Sequence, residues 1–141
     1  MMPLMKANIT IKAFPLNGTA IHIPPDLNAS VFRGDHLKAR LQQLPNGLLL
    51  GAFQIARDVD AHSHIWEMHP VGDEILVMVT GAMEVEYADE FHHGTCSLGT
   101  GEAMVMPTGF WHRLALREPG LLLTLTPLEG TRHSDKPGEP Q

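Results

Sequence analysis

Glu67, His69, Glu74 and, far downstream, His112 are the side chains whose types and spacing point to metal chemistry. Glu67 and His69 sit two apart, so on an extended strand they point to the same face. Pro70 to Asp73 is a turn-forming run. Glu74 then opens a strongly β-favouring run, Ile75-Leu76-Val77-Met78-Val79. Folding that hairpin back brings Glu74 beside the first two side chains. His112 closes the segment Pro107-Thr108-Gly109-Phe110-Trp111-His112. Nitrogen and oxygen donors converging from two hairpins suit Zn, Mn, Fe, Co or Ni.

Each donor has a plainer alternative. Glu67 could be a rim carboxylate paired with an arginine. Glu74 could be a strand-start carboxylate facing solvent. His112 could be a half-buried histidine bonded to a backbone carbonyl. His62 and His64 form a competing pair. On a regular strand through Ala61 to His69 their parity is opposite to that of Glu67 and His69, so they face away. A bulge near Ile65-Trp66 would turn His64 inward as a replacement donor. Trp66 shares their face and packs between sheets or at a subunit contact, and Trp111 and Arg113 point away from the His112 side. His92 and His93 lie in a loop, and His133 has no assigned role.

The elements that must position these groups read as β almost throughout. Leu48 to Ala56, Ala61 to His69, Glu74 to Val79, Met83 to Tyr87, Thr95 to Leu98, Ala103 to Met106, Trp111 to Leu116 and Leu121 to Thr126 are strand-like. Gly- and Pro-containing turns separate most of them. Short strands at this spacing imply an antiparallel sandwich or barrel. Upstream, Ile9 to Phe14 and Thr19 to Ile23 read as strands, and Ser30 to Leu44 as a helix weakened by Gly34. Residues 1–60 form an N-terminal extension, 61–128 the core, and 129–141 a tail. The polar stretch from Thr131 onward is expected to fray. Ile75 to Val79 and Leu121 to Leu125 are apolar on both alternations, so something must cover their outer face, whether a second sheet, the N-terminal segment or a partner subunit.

Two segments together resemble the paired motifs of the cupin superfamily. Glu67-x-His69-x4-Glu74-x6-Gly81 has the spacing of the first, with Glu67 where a histidine is usual. Gly101-x5-Pro107-x-Gly109-x2-His112 has the spacing of the second, with Leu116 in place of a final asparagine. The chain is similar in particular to small single-domain cupins carrying Trp-Glu-x-His-Pro-x-Gly-Asp-Glu. The resemblance covers roughly Ala61 to Leu125. It implies an all-β, double-stranded β-helix (a jelly-roll barrel), with Glu67, His69, Glu74 and His112 as the ligands of a divalent transition metal. Inward parity then makes Leu76, Met78, Phe110 and Leu114 pocket-lining. Two carboxylates and two neutral imidazoles leave a divalent ion near zero net charge, where three histidines and one glutamate leave about +1. A neutral site favours harder ions such as Mn, Fe(II) or Zn over Cu(I).

Composition narrows the function. The 141 residues carry a formal charge of −6, with the lysines and arginines scattered. Nucleic acid and anionic membrane surfaces are therefore poor partners. The nine histidines raise the prior for metal chemistry. The single cysteine, Cys96, excludes an internal disulfide and reads as a small buried hydrophobe. The start lacks the apolar segment of a secretory signal, which makes the cytoplasm the expected location. The readings left open are a metal-dependent enzyme of oxygenase or isomerase type, a non-catalytic small-ligand-binding cupin, and a metal-free degenerate barrel. A homodimer is expected in each case.

Overall fold

The computed structural model describes residues 11–137. Strands β1 (Thr19–Ile23), β2 (Ser30–Arg33) and β3 (Leu48–Ile55) lead to a short 3-10 turn at Asp58–Ala61. There follow β4 (Trp66–Met68), β5 (Glu74–Met78), β6 (Ala82–Ala88), β7 (His93–Leu98), β8 (Glu102–Met106), β9 (Trp111–Glu118), β10 (Gly120–Pro127) and β11 (Arg132–Ser134). They form two sheets, ordered β2-β1-β3-β10-β5-β8 and β11-β4-β9-β6-β7, and every pairing between these strands is antiparallel. Most neighbours in each sheet come from distant parts of the chain, as in a jelly roll. The all-β barrel implied by the resemblance to cupins is the fold observed.

Alternation decides what is buried. Ile55, Leu76, Met78, Met83, Val85, Leu98, Met106 and Leu122 fill the space between the sheets, with Phe110, Leu114 and Leu116 against them. The reverse face of the five-stranded sheet holds a smaller cluster of Trp66, Met68, Ala88 and Trp111. The Arg113 guanidinium lies 4.8 Å from the centre of the Trp66 ring, a cation–π contact. Trp111 and Arg113 thus face away from His112, as alternation requires. On the outside of the six-stranded sheet, Ile75 (36% exposed) and Val105 (58%) are cross-strand partners that remain open to solvent.

Two tight turns cross at one end of the barrel. Gly81, φ +89°, lies against the β9–β10 connection, and a Cβ there would come within 2.7 Å of the carbonyl oxygens of Glu118 and Pro119. Leu121 N donates to Thr80 O across the same crossing.

Several expectations about the elements fail. The helix expected over Ser30 to Leu44 is only α1 (Leu37–Leu41); Ser30–Arg33 instead pairs with β1. Positive φ at Gly34 and His36 breaks the path between strand and helix. The strand expected from Ala61 is replaced by the 3-10 turn, a left-handed His62 (φ 51°) and a loop, and regular pairing begins only at Trp66. Parity counted through Ala61 to Ile65 therefore has no meaning, although His62 and His64 are exposed. The expected tail contributes β11, paired with β4, and residues 138–141 lie outside the described residues. Cys96 is exposed, because β7 is the edge of its sheet. Of the expected strand Ile9 to Phe14, residues 11–14 show no strand and the first two lie outside the described residues. Within the N-terminal extension, β1 to β3 are hydrogen-bonded into the six-stranded sheet.

Candidate metal centre

Three adjacent strands put a row of side chains on one inward face. His133 of β11 is the cross-strand partner of Glu67 on β4, and Glu67 is the partner of His112 on β9. His69 lies just beyond β4, and Glu74 opens β5 in the opposite sheet. The two motif turns are clasped together. The Asp73 carboxylate accepts from both the backbone N–H and the hydroxyl of Thr108, each at 2.7 Å. Gly109 N donates to His69 O at 2.9 Å. Asp73, flanked by two motif residues, therefore fixes the loops.

The structure brings Glu67, His69, Glu74 and His112 together, with one potential ligand atom from each lying within 4.8 Å of the others. His69 Nε2 is 2.9 Å from Glu67 Oε1 and 3.4 Å from Glu74 Oε2, and His112 Nε2 is 2.9 Å from Glu74 Oε1. Thr126 donates its hydroxyl to Glu74 Oε2 at 2.6 Å. His69, Glu74 and His112 are buried, whereas Glu67 is 33% exposed.

Hydrogen-bond inventory fixes how the imidazoles present themselves. The Thr131 hydroxyl donates its one proton to Pro127 O (3.2 Å), so its oxygen accepts from His69 Nδ1–H (2.9 Å). His69 therefore turns Nε2 to the carboxylates. Among the described residues that atom is the one buried side-chain nitrogen or oxygen with no well-aligned hydrogen bond, although Glu67 Oε1 lies 2.9 Å away. His112 is arranged alike, its Nδ1 set 3.4 Å from the backbone carbonyl of Phe110 and its Nε2 turned inward. Imidazoles anchored at Nδ1, with Nε2 converging on carboxylates, match a transition-metal donor set.

With no metal, a proton must play the cation's part. Burial opposes charge on His69, but hydrogen bonds and charge from Glu67 and Glu74 win and push its pKa up to about 9. Burial likewise opposes charge on Glu67. The bonds from His133 and His69 hold its carboxyl far below the usual range. Glu74 is lowered in the same way, with burial again opposing and His112 and His69 prevailing.

These directions set a pH window. The glutamates' contribution is present above their ordinary pKa of 4.5 and lost as pH falls below it. The His69 contribution is complete below 6.5 and lost as pH rises through about 9. It is worth on the order of 3 kcal/mol at most. Metal-free protein in chelator is thus expected to be most stable between about pH 5 and 6.5. Thermal melts from pH 4 to 10 check this; an unchanged melting temperature between 6.5 and 9.5 would refute the charged His69.

A cavity of about 500 Å³ opens beside the four donors. Leu49, Phe53, Ile55, Leu76, Leu114 and Leu122 form its apolar wall. Glu67, Glu74, His112, Thr124, Thr126 and His133 form its polar end, and Lys38, Gln42 and His62 also border it. Leu76 and Leu114 line it as expected from parity. Met78 is instead fully buried in the core, and Phe110 packs on the core and near Tyr87, so neither borders the cavity. A smaller hollow of about 350 Å³ on the reverse of the five-stranded sheet is charged but has no imidazole.

Sequence reasoning missed His133, whose Nε2–H donates to Glu67 Oε2 at 2.8 Å, and Thr131 behind His69. The available signal was their spacing: two apart, like Glu67 and His69, hence on one face of any strand.

Two antiparallel sheets wound as a jelly roll, with carboxylate and imidazole donors gathered on inward faces, are the architecture implied by the resemblance to cupins. No protein-family model matches the chain, and no curated protein matches it. Among solved structures, HppE, crystallised as its cobalt(II) form with substrate, is 18% identical, with a TM-score of 0.46. That match covers 56% of this chain and 44% of HppE, so the chain spans less than half its length. A cupin-2 domain protein from Shewanella frigidimarina is 19% identical, with a TM-score of 0.41 over 58% of this chain and 70% of that one. Protein NMB1881 from Neisseria meningitidis is 22% identical, with a TM-score of 0.45 over 67% of this chain and 99% of that one. At such TM-scores the likenesses carry no weight for a ligand or a reaction, and the fold rests on the strand order itself.

Proposed function

We propose that this chain is a metal-binding cupin. Glu67, His69, Glu74 and His112 hold one divalent transition ion, and a small organic molecule binds in the adjoining cavity. The observation that carries this reading is the convergence of His69 Nε2 and His112 Nε2 on the carboxylates of Glu67 and Glu74, with His69 Nδ1 held by Thr131. A bound ion supplies Lewis acidity or oxygen activation, which suits oxygenation or isomerisation of the guest. The chain's own residues do the rest. The Leu and Phe wall binds the apolar body of the molecule and excludes water. Thr126 holds Glu74 in place. Glu67, the least buried donor, borders the cavity with its outer oxygen held by His133.

The test is the metal content of untagged protein purified without chelators. About one transition ion per chain is expected. A chain that carries none, and takes none up from Zn, Mn, Fe(II) or Co(II), removes the proposal. The exposed apolar pair Ile75 and Val105 supports a homodimer formed through the six-stranded sheet. Sedimentation is expected to give twice the 15.5 kDa chain mass, and Val105→Asp to halve it. A wild-type monomer at micromolar concentration would exclude the dimer.

A further inference from the structure

The segment Thr131–His133 touches the site twice. Thr131 and His133 are alternate residues, so both side chains lie on one face of the chain. The first accepts from Nδ1–H of His69, and the second donates Nε2–H to the outer oxygen of Glu67. Two of the four donors, both on the β4 segment, are thereby set in orientation by a strand more than sixty residues away.

We propose that β11 and the turn before it are the positioning shell of the metal centre, with Thr131 and His133 as positioning residues; the inference rests on the metal reading above. The chemistry of each contact is specific. Thr131 fixes the tautomer of His69. Its hydroxyl is committed to Pro127 O, so it can only accept from Nδ1–H, which leaves Nε2 as the free lone pair. His133 occupies Glu67 Oε2 and leaves Oε1, the oxygen facing His69, for the ion. This pairing also accommodates the glutamate at 67. A histidine there would place an imidazole opposite the imidazole of His133 in register, whereas a carboxylate can be shared between His133 and the ion. Contacts of this kind fix the ligand rotamers before metal arrives.

The experiment is a competition titration with zinc and a chromophoric chelator, together with cobalt(II) absorption spectra. Wild type is compared with Thr131→Val, Thr131→Ser, His133→Ala and His133→Gln. Far-UV and near-UV circular dichroism checks the fold. Thr131→Val and His133→Ala are each expected to weaken zinc binding by about 10- to 100-fold, the range for outer partners of metal ligands, and to shift the cobalt bands. Thr131→Ser keeps the acceptor and His133→Gln keeps an N–H donor, so both should recover most of the affinity. If wild type binds zinc and both Thr131→Val and His133→Ala bind it equally well with unmoved cobalt bands, the positioning role is wrong and the metal site stands. If wild type itself binds neither ion, both readings fall together.

Discussion

His112→Ala is expected to lower affinity for zinc or cobalt(II) by at least ~100-fold, more than the loss of an outer partner usually costs. That corresponds to about 2.7 kcal/mol of binding free energy. His112 is buried, its Nε2 is 2.9 Å from Glu74 Oε1, and no other described imidazole takes part in the four-donor group on that side. Its removal leaves two carboxylates and one histidine and opens a path for water. His62→Ala is the matched control, because His62 borders the same cavity but is exposed and outside the donor group. Competition titration at pH 7 reads both. Equal affinities for wild type and His112→Ala would remove His112 from the site, and a large loss in His62→Ala alone would move the centre to the cavity's edge. Binding also requires the ion to displace the proton carried by His69, whose pKa is about 9. Uptake at pH 7 should therefore release roughly one proton per ion from this residue, measurable by calorimetry in buffers of different ionisation enthalpy.

Gly81→Ala is expected to destabilise the fold by about 3 kcal/mol or more, lowering the melting temperature by roughly 10 °C. Two effects add there. Alanine at φ +89° is strained, and its Cβ would press on the carbonyls of Glu118 and Pro119, which are backbone atoms with little room to move. Gly101 separates the two. Its φ is +80°, but a Cβ there meets nothing within 4 Å. Gly101→Ala carries the conformational cost alone, about 1–2 kcal/mol. Thermal or urea unfolding of the two variants decides the question. Equal losses would mean that the turn crossing yields, and that only the backbone angle requires glycine at position 81.

Much of this was legible in sequence because turn chemistry and alternation are local. Thr19–Ile23 is a strand with the expected bounds, and Leu48–Ile55, Glu74–Met78 and Glu102–Met106 differ by a residue from expectation. The spacing that joined Glu67, His69 and Glu74 to Gly101 through His112 located a group that the fold does bring together. What failed depended on distant partners. Ser30–Arg33 has weak strand character, and only pairing with β1 makes it one. Arg132–Ser134 is polar and exposed enough to resemble a tail, and only β4 holds it. Cys96 was misplaced because nothing local reveals that its strand is the last of its sheet. His133 and Thr131 went unassigned because their partners lie 66 and 62 residues upstream.

The strand order bears on what a single break in the chain would do. The loop after β6 displays Phe91 at 81% exposure, an open target for a protease. A cut there leaves one fragment with β1 to β6 and another with β7 to β11. Apart from β2–β1 and β1–β3, every seam between neighbouring strands then joins one fragment to the other. Neither piece holds a complete sheet, and each needs the other to bury its apolar face. Glu67, His69 and Glu74 fall on the first piece and His112 on the second. A nicked molecule is thus a two-chain complex closed by mutual complementation, and an ion at the centre would bridge the cut like a rivet.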